Sequence, residues 1–269
     1  MINKIILSLI YLVFGVTLVN ASEEVDFSLK RQDGLSIGVQ AYWYKYEEEV
    51  DDSFFMSNEG EKYGVSASYA VVFDENYLLV EGRYATGDVE YKSASGTGDV
   101  SDDVYEVRLI GGIEREIDTY LLGSYIGIGY RFLENDLRDL GAGGYRRESQ
   151  YLYIPIGITN RFHIGKDARI STSIEYDILI WAEQKSYLSD VSAAYGALYG
   201  DPVNEQKSGY GIRLSTAYEL VDWSIGLFFN YWDIDDSEKN TYTDGITTYT
   251  LYEPKNDTKE IGIEIKYKF

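Results

Sequence analysis

The last ten residues, Glu260-Ile-Gly-Ile-Glu-Ile-Lys-Tyr-Lys-Phe269, alternate strictly. Ile261, Ile263, Ile265, Tyr267 and Phe269 fall on one side; Glu260, Gly262, Glu264, Lys266 and Lys268 fall on the other. A period of two marks a β-strand with one apolar and one polar face. The apolar face needs a cover. In a soluble sandwich a second sheet provides it. In a transmembrane barrel lipid provides it, and the polar face looks into the lumen.

Nine further stretches carry the same alternation: 35–46, 63–73, 77–91, 103–114, 119–132, 148–162, 168–183, 208–220 and 223–234. Short turns at 74–76, 116–118, 165–167 and 221–222 separate some of them, and longer polar segments at 47–62, 92–102, 133–147, 184–207 and 235–259 separate the rest. Ten strands joined alternately by long loops and short turns predict an all-β fold, a transmembrane antiparallel β-barrel with long outer loops and short periplasmic turns. A strand of about ten residues, tilted, crosses the hydrocarbon layer. Pro155 cannot donate to a ladder, so a bulge or a missing bond is expected there. In the loop after 183, Ser189 is positioned to cap a short helix running to Ala194 or Leu198.

The other end of the sequence indicates a compartment. Lys4, the apolar run 5–19 and Val19-Asn20-Ala21 have the layout of a cleaved export signal. The expected organisation is a signal peptide over 1–21, a periplasmic lead-in over 22–34 and a barrel over 35–269. The chain has no cysteine, so disulfides and thiolate chemistry are excluded. Its formal charge of −21 argues against nucleic acid as a partner. The 27 tyrosines and 26 glycines suit aromatic girdles and crowded inward positions.

The terminal strand, ending on Tyr267-Lys-Phe269, resembles the carboxy-terminal signal strand of bacterial outer-membrane β-barrel proteins. That resemblance implies a place in the bacterial outer membrane and recognition of Tyr267 and Phe269 by the barrel-assembly machinery. Outer-membrane lipid and lipopolysaccharide are the implied surroundings, the latter reached by acidic outer loops through shared divalent cations. In strand number and loop plan the chain also resembles the omptin proteases. Their paired Asp and Asp-His constellation has no counterpart, because His163, the one histidine, falls beside the short turn at 165–167.

The inward ionisable residues are the most informative polar set. Counting from the turns places Glu81, Arg83, Glu106, Arg108, Arg131, Glu175, Asp177, Arg213 and Glu264 in the lumen. Glu81-x-Arg83 and Glu106-x-Arg108 lie on paired strands, where opposite charges can meet. Three readings follow: a salt-bridge network filling a narrow barrel, charges lining a narrow pore for small solutes, or a hydrolase using the Glu175-x-Asp177 carboxylates. The first is expected, with Arg213 neutralising Glu175 and Asp177, since a ten-strand barrel is little wider than one whose side chains fill it. No catalytic residue, cofactor or metal site is assigned. The crowd of Asp233, Asp235, Asp236 and Glu238 lacks the spacing of a Ca²⁺ loop and reads as a solvated segment.

Overall fold

A computed structural model describes residues 28–141, 143–191, 200–243 and 246–269. The expected signal peptide and most of the lead-in therefore lie outside the described residues. The strands are β1 Gly34–Val50, β2 Ser53–Phe73, β3 Asn76–Ser93, β4 Gly96–Ile117, β5 Tyr120–Asp136, β6 Arg146–His163, β7 Arg169–Ser186, β8 Val203–Gln206, β9 Gly209–Glu219, β10 Trp223–Ile234, β11 Asn240–Thr243, β12 Thr248–Leu251 and β13 Lys255–Lys268. β1 to β7 pair in sequence order, β9 and β10 follow, and β13 pairs with both β10 and β1, which closes the barrel. β8 pairs with the upper end of β7 and β9 with its lower end, so the two act as one interrupted strand. The wall is thus ten strands, all antiparallel; β11 and β12 form a separate hairpin.

Alternation sets the two faces. Ile37, Val39, Val65, Val80, Leu109, Ile128, Ile158, Ile225 and Ile263 all stand exposed on the outer surface. Such a continuous apolar exterior has no stable place in water. On β1 the belt from Leu35 to Trp43 runs about 27 Å along the strand, comparable with the roughly 25 Å apolar band of outer-membrane barrels. Aromatic rings edge it on both sides. Tyr84, Tyr105 and Phe132 adjoin along the long-loop edge, with centroids 4.8 and 6.0 Å apart. Trp223, Tyr267 and Phe269 do so along the short-turn edge, at 4.9 and 4.8 Å.

The strands rise well above this belt. β2 has 21 residues and β4 has 22, so the segments expected as loops at 47–62 and 92–102 are mostly strand. Asp51 and Asp52, both at positive φ (50° and 58°), make the tight turn of the first outer hairpin. Above the belt the outward face meets water and turns acidic, while the inward face stays covered: Tyr46, Glu48, Met56 and Asn58 are all buried. Loss of outward hydrophobicity marks the end of the membrane, not the end of the strand.

Two local expectations need correction, and the missing bond expected at Pro155 is found. Unbroken alternation over 168–183, with Glu175 and Asp177 inward, puts Trp181 inward too, yet it faces out: it pairs with outward Leu152, while Tyr153 pairs with Leu179, leaving Ile180 as an extra residue that reverses the phase. The bulge thus lies at Leu152/Tyr153 and not at Pro155, which is paired with Asp177. On its other side the β5–β6 pairing is interrupted between Ile126↔Ile156 and Gly129↔Tyr153, next to the missing proline N–H. Ser189 caps nothing, since it lies inside the 3-10 turn Leu188–Asp190, which follows Tyr187. The rest of the expected helix falls outside the described residues.

Candidate functional site in the barrel lumen

Cross-strand register brings the lumen charges together. On β3 and β4, Arg83 lies opposite Glu106 and Glu81 opposite Arg108; on β7 and β9, Glu175 lies opposite Arg213. Glu106 accepts at Oε2 from Arg83 Nε (2.7 Å) and Arg213 Nη1 (3.1 Å). At Oε1 it accepts from Arg213 Nη2 (2.5 Å) and the Tyr153 hydroxyl (2.7 Å). The Arg213 Nε donates to Asp177 Oδ2 at 2.6 Å and stands 3.2 Å from Glu175 Oε1. Arg108 bonds Glu175 and lies 3.4 Å from Glu81.

Glu260 ties a second half to the first. Its carboxylate accepts from Arg131 Nη2 (2.7 Å), Arg83 Nη1 (3.0 Å) and Asn230 Nδ2 (2.8 Å). Arg131, Glu260 and Asp177 are wholly inaccessible to solvent. A bare charge at such a site is prohibitive, and shared contacts are what make this layer tolerable. Both carboxylates of Glu175-x-Asp177 are held by arginine.

Above the charges the lumen is packed with rings. Trp232 lies against Tyr151 (5.7 Å) and Tyr153 (5.0 Å) and shares its buried cluster with Val104, Leu133 and Ala182. The Arg213 guanidinium sits over Tyr153 and Trp232, so the ionic and aromatic layers share one boundary. A neighbouring cluster holds Tyr42, Tyr44, Tyr46, Met56, Val89 and Val100. Within it a buried ion pair joins Lys62 to Asp102, with Lys62 3.7 Å from the Tyr44 ring. Glycine makes room for the rings. A Cβ at Gly129 would lie 2.2 Å from the Tyr153 ring, and one at Gly157 would lie 2.2 Å from Tyr125.

Toward the short-turn end the lumen is filled on one side only. Tyr77, Leu79 and Ile110 form an apolar cluster that Tyr125 packs against, near β3 to β6. The opposite wall carries Ser36, Ser66, Ser68, Ser173, Ser215 and Ser224, and it encloses a cavity of about 380 Å³. Glu264 belongs to this lower level, where it accepts from Ser66 (2.6 Å) and pairs with Lys266 (2.8 Å) instead of joining the central layer. Residues from Ser28 onward enter the mouth. Arg169 donates to the Ser28 and Lys30 carbonyls (2.5 and 3.0 Å), Arg161 to the Leu29 carbonyl (3.3 Å), and the Arg31 amide to Glu114 (2.7 Å).

At the outer rim Arg147 bonds both Glu48 and Glu253, the latter at 2.7 Å, and the Tyr46 hydroxyl donates to the same two carboxylates (2.9 and 3.2 Å). On the outward face, acids oppose acids across strands: Glu59, Glu90 and Asp99 form one row, and Asp103, Glu134 and Glu148 another. Such pairs repel. Burial, and then Glu148 and Asp103, push the Glu134 carboxyl above its ordinary range. Among the described residues no group of three or more His, Asp or Glu is arranged to hold a metal ion.

No protein-family model and no curated protein matches the chain. Among solved structures, the outer-membrane protease OmpT from Escherichia coli superposes with a TM-score of 0.52 at 10% identity, over 93% of this chain and all of that one. The NalP autotransporter translocator domain from Neisseria meningitidis gives 0.42 at 8%, covering 89% and 90%. The toluene transporter TodX from Pseudomonas putida gives 0.38 at 8%, covering 88% and 90%. The OmpT likeness agrees with the closed ten-strand wall and its apolar outer belt, and it shows the fold. The chain has the fold of a bacterial outer-membrane β-barrel. In this outer-membrane barrel Tyr267 and Phe269 stand on the outer surface at the periplasmic girdle, where the Phe269 amide bonds the Leu35 carbonyl (2.9 Å). His163 sits at the periplasmic end of β6.

Several lumen residues were not picked out from the sequence. Glu260 lies on the polar face of the last strand, yet its place as a hub depends on arginines from β3 and β5. Lys62 and Asp102 keep the inward phase of Gly64 and Val104, a signal hidden by treating their surroundings as loops. Tyr153, Tyr151 and Trp232 carry no charge, and only the closed barrel shows that they meet.

Proposed function

We propose that this protein is a sealed outer-membrane barrel with a charge-filled narrow lumen, serving a structural role or acting at the cell surface through its outer half. One observation carries the reading: the fully buried Arg131–Glu260 pair adjoins the buried Tyr151–Tyr153–Trp232 cluster, with Arg131 opposite Tyr151 across β5 and β6, so ions and rings together fill the lumen at this height. Arginine occupies both Glu175 and Asp177, which weighs against a hydrolase built on them. The acidic rows above the belt are the surface that divalent cations would use to bridge to lipopolysaccharide phosphates. Tyr267 and Phe269 remain the natural handle for the assembly machinery. Planar-bilayer recording tests the seal: the folded protein is expected to insert without stable conductance steps. Stable steps of a single size would replace this reading with that of a narrow pore.

A further inference from the structure

The periplasmic half of the lumen is chemically lopsided. One wall is filled by rings and aliphatic side chains, while the facing wall sets serines among the charged Arg169, Glu219, Glu264, Lys266 and Lys268 and leaves about 380 Å³ unfilled. Larger side chains at the serine positions would fill this space, as Tyr77 and Tyr125 do opposite. The charge layer forms its roof, and Arg31 and Gln32, with the residues from Ser28 that enter the mouth, border its short-turn end.

Two residues of its lining carry unpartnered donors. Gln40 is more than nine-tenths buried and lines the cavity, and its Nε2 has no partner. The Nε of Arg108, on β4 across the lumen, is likewise unpartnered. Two carboxylates complement them. Glu81 keeps 29% of its side chain exposed and meets Arg108 at only 3.4 Å; Glu264 keeps 23% exposed. Gly38 permits this arrangement, because a Cβ there would meet both Ser66 Oγ and Lys266 Cγ at 2.7 Å. Cationic groups and two partly exposed carboxylates thus line one space walled with hydroxyls.

We propose that this cavity is a periplasm-facing binding site for a small zwitterion of amino-acid or dipeptide size. The ligand's ammonium would meet Glu81 and Glu264, its carboxylate Arg108 and Gln40, and its amide the serine hydroxyls. A mixed lining of this kind favours a molecule carrying both charges over a simple anion or an apolar one. The site rests on the cavity and its lining alone, so its test is independent of the conductance result.

Isothermal titration of the full chain in detergent with alanyl-alanine tests it, with N-acetyl-alanine methylamide and glucose as neutral probes of similar size. Saturable binding of the dipeptide is expected, with the methylamide and glucose about tenfold weaker or silent. Glu81→Gln is expected to weaken dipeptide binding about tenfold, with Glu264→Gln as the alternative should the first variant fail to fold. No saturable binding of the dipeptide overturns the proposal. Equal affinity for the methylamide, or tighter binding of glucose, overturns it too, as does an unaltered affinity in a folded carboxylate variant.

Discussion

Glu260→Ala is expected to lower the unfolding free energy of the barrel by about 3–5 kcal/mol, the usual cost of removing one partner from a buried ionic network. The reason is what stays behind. Arg131 has Glu260 as its hydrogen-bonded carboxylate, Arg83 would keep only Glu106, and Asn230 would lose its acceptor. Arg131 is wholly buried and has no route to water, while Arg83 borders the cavity and is 12% exposed. Glu264→Ala provides the contrast. Its carboxylate is partly exposed and meets Ser66 and Lys266, so its removal is expected to cost about 1 kcal/mol or less. Denaturant unfolding in detergent, followed by tryptophan fluorescence, compares the two. Similar losses for both would contradict a layered lumen.

A second large effect concerns the outer rim and pH. Burial, with the nearby Glu48 carboxylate adding to it, pushes the Glu253 carboxyl up to about 8 against the pull of Arg147. Tyr46 and Glu48 on β1, and Arg147 and Tyr151 on β6, face it, with Tyr145 just ahead of β6. A carboxyl raised on folding binds its proton more tightly in the folded state. Its contribution is therefore full below the ordinary value of 4.5 and is lost as pH rises through about 8. Glu253 also holds the neck of the β11–β12 loop, where its carbonyl and amide bond Ser237 (2.9 and 2.8 Å). Trypsin cleavage at exposed Lys239 is expected to speed up from about pH 6 to about pH 9 by more than trypsin's own pH response. Glu253→Gln, which mimics the neutral form, is expected to remove that excess. An unchanged pH dependence in the variant would rule the latch out.

How far the sequence could be read follows from what each signal depends on. Alternation is local, so the strands, their faces and the pairing of Glu81 and Arg83 with Arg108 and Glu106 were legible residue by residue. Trp181 was misread because one extra residue, Ile180, reverses the phase without leaving a mark in composition. The outer strand extensions were missed for a different reason. Outward positions such as Glu47, Glu59 and Glu61 turn polar once the wall leaves the membrane, which resembles a loop until the inward set Tyr46, Asn58 and Lys62 is read separately. Glu260 and Trp232 show the deeper limit. Residues far apart in the chain converge across a closed lumen, and only the closure itself brings them together.

The absence of cysteine makes the most direct test of the seal simple, since any introduced thiol is unique. Ser173 lines the cavity beneath the charge layer, where its hydroxyl meets that of Ser215 at 2.7 Å. Ser173→Cys should tolerate the change and be probed in intact cells with a polymer-linked maleimide too large to cross the outer membrane. No labelling from outside is expected, with labelling by a small maleimide once the periplasmic side is opened. Rapid modification by the polymer reagent on intact cells would mean an open path past Trp232 and Glu260, and the sealed barrel would have to be abandoned.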